Sequence, residues 1–193
     1  MLKVSIIATG LLSMSLSAHS LTENKIDSGK VYAQDKPIIL LGQGVTEGQQ
    51  APNFKVVNDA FVPVKLSDFE GKAILISVVP SLDTGICSLQ AKHFNEQVAN
   101  TFANIDMMTI SADLPFAQKR FCKQENIDKM VTLSDSVWRN FGEKYGLYIK
   151  DMGLLSRAVF ILDKDHKIVY KQLVKNLETE PDYKPIIDKL KTL

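Results

Sequence analysis

The sequence predicts an α/β fold in which helices flank a mixed central sheet. Three observations carry that expectation. Apolar, β-branched runs alternate with amphipathic stretches along most of the chain. One run, Ala73 to Val79, is nearly continuous, as in a strand covered on both faces. The chain then closes with a strand pair and an amphipathic helix, an order that fits a layered α/β sandwich. With 193 residues, 45% apolar and 23% charged, the composition fits one globular domain and not a disordered chain.

The first twenty residues stand apart from that domain. Lys3 supplies a positive n-region, Val4 to Leu16 is mostly apolar, and Ala18-His19-Ser20 ends with small residues at both critical positions. This is the pattern of a secretory signal peptide cleaved after Ser20. The run falls short of the ~20 apolar residues that span a bilayer, and Ser13, Ser15 and Ser17 dilute it, so no membrane anchor is expected. The expected organisation is a signal peptide, 1–20, followed by one domain, 21–193, exported to the periplasm. Loss of Lys3 leaves 22 basic against 22 acidic residues. That balance argues against a nucleic-acid partner, which would call for a basic excess or stripe.

Each element follows from local pattern. Lys30 to Leu41 alternates around Gln34-Asp35-Lys36 and reads as an N-terminal β-hairpin; Gly42 to Gln50 reads as a Gly/Gln-rich linker. Strands are expected at Phe54 to Val57, Phe61 to Leu66 and Ala73 to Val79, where Pro80 stops the last. A helix from Ser88 to Thr101 would turn Leu89, Phe94, Val98 and Phe102 to the sheet. Ile105 to Ser111 is the next strand, with Met107-Met108 in the core. Capping chemistry at Ser111 to Pro115 opens a helix from Phe116 to Glu125 that carries Cys122. Met130 to Leu133 is a short strand, Ser136 to Tyr145 a helix ending at Gly146, and Arg157 to Leu162 with Ile168 to Leu173 a strand pair. Tyr183, Ile186, Ile187, Leu190 and Leu193 mark one face of the final helix.

The chemistry concentrates in Pro80-Ser81-Leu82-Asp83-Thr84-Gly85-Ile86-Cys87, between a strand and a helix. Cys87 falls at the start of that helix, where backbone N–H groups lack intrahelical partners and the dipole is positive. Only a small fraction of an ordinary thiol is thiolate at neutral pH, and an electropositive seat raises that fraction. Thr84 lies about one turn earlier, within reach of the sulfur or of an oxygen bound to it. Cysteine at a helix start is also a common core residue, and two cysteines in an exported chain are by default a structural disulfide. Both readings are open on spacing alone.

Pro80, Thr84 and Cys87 fit the Pro-x-x-x-Thr-x-x-Cys signature of peroxiredoxins. PSLDTGIC, then ISADLPFAQKRFC (Ile110 to Cys122), then TEPDY (Thr179 to Tyr183), closely resemble the thiol peroxidase subfamily, atypical two-cysteine peroxiredoxins. The resemblance covers about residues 30 to 193. It implies a thioredoxin-like fold with an N-terminal hairpin, and a thiol-dependent peroxidase acting on hydrogen peroxide and organic hydroperoxides with no cofactor. It implies Cys87 as the peroxidatic nucleophile, Cys122 as the resolving cysteine of the same chain, and Arg157, at a strand start, against the nucleophile. Pro80 would shape the pocket and restrict water. A dithiol reductant of thioredoxin type and a homodimer are the implied partners. Export departs from the family, whose members are commonly cytoplasmic, and leaves the reductant open.

Other residues carry less. His93 and His166 have no ligand spacing with either cysteine, so no zinc site is expected. His93 is expected on the exposed side of its helix, His166 in a turn, and Trp138 in packing. The rival readings are an exported redox sensor or binding domain with a Cys87–Cys122 disulfide and no turnover.

Overall fold

Every residue of strand β6 (Ile74–Val78) is buried, and the rest of the molecule is arranged around it. The computed structural model describes residues 20–193; the predicted signal peptide lies outside them apart from Ser20. β6 runs parallel to β7 (Asp106–Ser111), and β7 parallel to β8 (Val131–Ser134). β10 (Ala158–Leu162) pairs antiparallel with β6, and β11 (Ile168–Leu173) with β10. On the far side β4 (Lys55–Val57) pairs with β8 and β5 (Pro63–Lys65) with β4, both antiparallel. The sheet order is β11-β10-β6-β7-β8-β4-β5, a mixed sheet as expected.

Alternation along the strands divides the core in two. Ile74, Ile76 and Val78 face the layer holding Phe54, Phe141 and Tyr145, with Met108 and Phe160 beside them. Leu75 and Val79 face the opposite layer with Met107, Val159 and Ile161. The methionine pair is thus core, one residue on each face. The second layer is built by α1 (Gly85–His93), a π-helical stretch (Phe94–Val98) and α2 (Ala99–Thr101), which follow one another without a break. It is joined by α3 (Pro115–Glu125) and α5 (Tyr183–Leu190). Among the described residues no helix is long and apolar enough to cross a membrane.

Several sequence expectations shift for identifiable reasons. The first helix begins at Gly85, not Ser88, and Leu89 is 51% exposed instead of facing the sheet. Five residues separate Leu89 from buried Phe94, which on an α-helix is about 140° of rotation, so the two cannot share a face. The hairpin is real but short: β1 (Tyr32–Ala33) pairs with β2 (Lys36–Pro37) around Gln34 and Asp35, both at positive φ, as a two-residue hairpin turn requires. β3 (Leu40–Leu41) pairs instead with β9 (Tyr148–Ile149), a strand the sequence did not announce. Residues 42–50 are not a free linker. Gly48 donates to the Ile168 carbonyl, Ile168 to that of Gln49, and Lys171 N–H to Glu47, which closes the outer edge of β11 against further pairing.

The helix expected from Ser136 opens only at Asn140, as α4 (Asn140–Tyr145). Arg139 sits in the left-handed region at φ 53° and breaks the run before it. The buried Asp135 carboxylate accepts from Phe141 and Gly142 N–H and from the Tyr148 hydroxyl, capping α4 from outside the helix. Burial, the largest influence, holds the Asp135 carboxyl above its ordinary range despite those donors. The last helix ends at Leu190, which leaves Leu193 exposed and off its apolar face.

Gly142 shows packing overriding propensity. In a helix, alanine for glycine gains up to ~1 kcal/mol. Here a methyl group would press into the Tyr148 ring and stand 2.6 Å from Leu155 Cδ2, both side chains buried in the core. Overpacking of this kind costs about 1–3 kcal/mol. Gly142→Ala is therefore expected to lower stability by about 1–2 kcal/mol in urea unfolding; a stabilised variant would show that the core yields there.

Candidate active site

The loop after β6 delivers Cys87 to the third residue of α1, with Thr84 as the N-cap residue in extended geometry. Cys87 is fully buried. Pro80, also buried, closes the strand end behind it. The Thr84 hydroxyl does not reach the sulfur in this conformation; it donates to the Ser81 carbonyl at 3.1 Å, and Ser88 N–H bonds the Thr84 carbonyl at 3.0 Å. Thr84 thus tightens the turn, with its side chain exposed at the helix mouth.

Arg157 directly precedes β10 and is 1% exposed. Its Nη2 donates to Cys87 Sγ at 3.3 Å and to the Leu177 carbonyl at 3.1 Å, and Nη1 donates to Gln90 Oε1 at 2.7 Å. Gln90 is held in turn by donating from Nε2 to Ser77 Oγ at 2.8 Å, on the face of β6 that α1 covers. Two chain segments far apart in sequence, α1 and the stretch around Leu177, therefore meet on one guanidinium.

Residues that the sequence reading passed over complete the frame. Asp113, just after β7, accepts from Ser81 Oγ at 2.7 Å, Leu82 N–H at 2.8 Å and Ser111 Oγ at 2.8 Å, fixing the loop that leads to Cys87. The SADLP string did signal a cap, but Asp113 binds across to the other loop instead of to its own helix. Gln90, one turn after Cys87 on the same helix face, was detectable only as a polar residue on an apolar stripe.

Cys122 lies in α3, half-buried, and its thiol shares a hydrogen bond with Thr132 Oγ1 at 3.1 Å. Both cysteines are free thiols. Burial pushes the Cys122 thiol above its ordinary pKa; the Thr132 bond opposes this, and the charge of Asp59 adds to it. A cleft of about 260 Å³ lined by Asp59, Gln118, Lys119, Cys122 and Thr132 reaches this sulfur.

His93 departs from expectation. It is half-buried and stacked on Tyr183 with ring centroids 3.6 Å apart, and its Nε2 is buried without a hydrogen-bond partner. Burial holds its pKa below the ordinary imidazole value, opposed by the nearby Glu180 charge. Glu180 accepts from the Tyr183 hydroxyl, so the TEPDY string builds a buttress against α1. His166 sits in the β10–β11 turn as expected. Trp138 is 40% exposed, and Lys55 Nζ lies 3.7 Å from its ring centroid, so it packs under a cation and not in the core.

Known proteins resemble this chain in sequence and fold. The Redoxin family profile matches residues 46–187. Thiol peroxidase from Bacillus subtilis (strain 168) is 45% identical over 157 residues, covering 81% of this chain and 93% of its own. Thiol peroxidase from Staphylococcus aureus (strain MRSA252) is 47% identical over 147 residues, covering 76% and 88%. The crystal structure of a peroxiredoxin-like protein from Aquifex aeolicus superposes with a TM-score of 0.77 at 38% identity, over 84% of this chain and 95% of that one. These matches span the thioredoxin-like sheet and both cysteines, and by them the chain belongs to the thiol peroxidase subfamily of the peroxiredoxins.

Proposed function

We propose that this peroxidase reduces hydrogen peroxide and organic hydroperoxides at Cys87 and passes the oxidation to Cys122 as an intramolecular disulfide. The observation that carries the reading is the buried Arg157 guanidinium, 3.3 Å from a cysteine sulfur in the first turn of a helix. The Cys87 thiolate attacks one peroxide oxygen. An S–O bond forms, the O–O bond breaks, and its electron pair departs on the second oxygen, which is protonated to water or an alcohol. Sulfur loses two electrons and becomes a sulfenic acid. Helix N–H groups and Arg157 offer positive charge where negative charge develops on the leaving oxygen. Cys122 then attacks the sulfenic sulfur; an S–S bond forms and the sulfenic oxygen leaves as water. A dithiol of thioredoxin type reduces the bridge and is itself oxidised to a disulfide. The raised pKa of Cys122 supports this division of labour, since a protonated thiol does not compete for peroxide.

The reading places the enzyme outside the cytoplasm, on the signal-peptide pattern of residues 1–20, as a homodimer. The exposed side chains of Phe61, Leu114 and Phe116, with the two phenylalanine rings 5.1 Å apart, support a partner surface. Native mass spectrometry of exported protein is expected to show chains beginning at Leu21 and paired; full-length monomers would refute both points.

Cys87→Ser is expected to abolish peroxide consumption, because an alcohol supplies no thiolate at neutral pH. Arg157→Lys should slow the first step by at least tenfold, since an ammonium cannot serve Cys87, Gln90 and Leu177 together. That figure equals about 1.4 kcal/mol of lost transition-state stabilisation. Stopped-flow kinetics of the first turnover reads both variants, and a rate within about twofold of the parent would remove the residue from the site.

Cys122→Ser should leave the first attack intact while dithiol-driven turnover falls steeply and Cys87 accumulates as sulfinic acid. Mass spectrometry after peroxide treatment follows each species. Undiminished turnover by this variant would exclude Cys122 as the resolving thiol.

A further inference from the structure

The two cysteine-bearing helices are joined unevenly. Ahead of both, Asp113 holds Ser81 and Leu82 through its carboxylate, and Ser111 links it to α3 by accepting from Gln118 Nε2 at 2.9 Å. Behind both, Asn95 in the π-helical stretch is 3% exposed. Its Oδ1 accepts from Asp128 N–H at 3.1 Å and Lys129 N–H at 2.8 Å, and its Nδ2 donates to the Asn126 carbonyl at 3.2 Å. Between these points the polar links joining α1 and its leading loop to α3 are side-chain ion pairs that reach solvent. One is Lys92 with Glu125, about a third exposed; the other is Arg120 with Asp83 at 3.8 Å, whose two side chains are more than half exposed. Pairs of that kind contribute about 0–1 kcal/mol, less than buried, multiply bonded groups. The ends are fastened and the middle is not.

We propose that Asp113 and Asn95 are positioning residues for the resolving step: two hydrogen-bonded pins that stay closed while the turns between them unwind. The inference rests on the Cys87–Cys122 bridge proposed above. In that step the Cys122 sulfur bonds to the Cys87 sulfur, the S–O bond of the sulfenic acid breaks, and the Cys122 proton leaves with the oxygen as water. The pins confine the search. Cys87 lies five residues after Leu82 and eight before Asn95; Cys122 lies nine after Asp113 and four before Asn126. With the pins closed, the sulfurs meet across two short loops instead of the 35-residue separation along the chain. Loop closure scales with the three-halves power of length. Opening the Asp113 pin moves the leading closure back to the Val79 N–H bond to the Ile110 carbonyl, from about 14 residues to about 20, which slows the encounter by about 1.7-fold. A sulfenic acid that waits longer for its partner is oxidised further. The π-helical turn fits this role, since such turns interrupt α-helices where function places a side chain off the α-helical register.

Hydrogen exchange of the unmodified protein tests the proposal directly, because Leu82, Asp128 and Lys129 amides donate to the pins. In the peroxide-oxidised form these three are expected to keep their protection while amides of α1 and α3 lose it. Exchange at the three as fast as in the helices, with the bridge present by mass spectrometry, would overturn the pins and leave the peroxidase reading standing. No bridge at all would overturn both. Asn95→Ala should slow disulfide formation by up to about twofold and raise over-oxidation of Cys87 at a given peroxide dose, with the first attack unchanged. Asn95→Asp, which keeps an oxygen for the Asp128 and Lys129 amides but turns a second one against the Asn126 carbonyl and the Asp128 carboxylate, should recover only part of the loss. Disulfide formation at the parent rate in Asn95→Ala would count against the pin.

Discussion

A cation buried at 1% exposure organises the functional half of this molecule. Removing a guanidinium from water costs several kcal/mol unless partners replace the lost hydration. Arg157 finds them for its two terminal nitrogens in the Gln90 side chain, the Leu177 carbonyl and the Cys87 sulfur, while its Nε is buried without a hydrogen-bond partner. Of these three only the sulfur can carry a negative charge, so the buried positive charge meets an anion among its hydrogen-bond partners when Cys87 is a thiolate. Each partner also imports a structural requirement. Gln90 needs α1 packed against Ser77 of β6, Leu177 needs the chain after β11 folded back over the site, and Cys87 needs the first turn of α1 formed.

The fold-back after β11 explains the N-terminal hairpin. Tyr32 N–H donates to the Lys175 carbonyl at 2.7 Å, and Leu177 N–H donates to the Tyr32 carbonyl at 3.0 Å. β1 therefore braces the segment whose next carbonyl grips Arg157. From the other side Tyr183 stacks on His93 of α1 and meets Phe94 edge-on, with centroids 5.5 Å apart. A small hairpin and a C-terminal turn, neither of which touches the sulfur, thus fix the donor that does. Two-stranded hairpins are marginal alone; this one is stabilised by what it holds.

The parts of the site that the sequence made legible are those with a local signature. Pro80 ends a strand, Cys87 opens a helix, and Arg157 opens another strand, each marked by the apolar run beside it. The sheet was legible for the same reason, because continuous apolar runs and proline stops are local. Gln90, Asp113 and Asn95 were not, since their partners lie 67, 31 and 33 residues away. A polar residue at a buried position carries no mark of which distant donor will satisfy it. The start of α4 was hidden likewise: its cap comes from Asp135, and Arg139 at positive φ has no composition signal. Leu89 and His93 exchanged places relative to expectation because the apolar count placed the helix phase by Leu89. The residues that fix the phase are Cys87, Gln90 and Ala91, of which Gln90 is a poor marker of a core.

Stability is graded across the layers in a way that suits the disulfide step proposed above. β6 and β10 are buried along their whole length, and their loss would be global unfolding. α3 buries only Pro115, Gln118 and Phe121 of its eleven residues, one of them polar. An element with so few apolar contacts opens locally at a small fraction of the global free energy. α1 is intermediate: Cys87, Gln90 and Ala91 are buried, yet its exposed side carries Leu89, half of whose surface is in solvent. For the bridge proposed above, a core that held both helices as firmly as the strands would keep a buried and a half-buried sulfur apart, and a core that held neither would release the arginine that contacts Cys87. The residues that reconcile the two demands are polar. Hydrogen bonds fix direction without adding much net stability, about 1 kcal/mol each. They can hold the ends of a weakly packed helix in place while its middle comes apart.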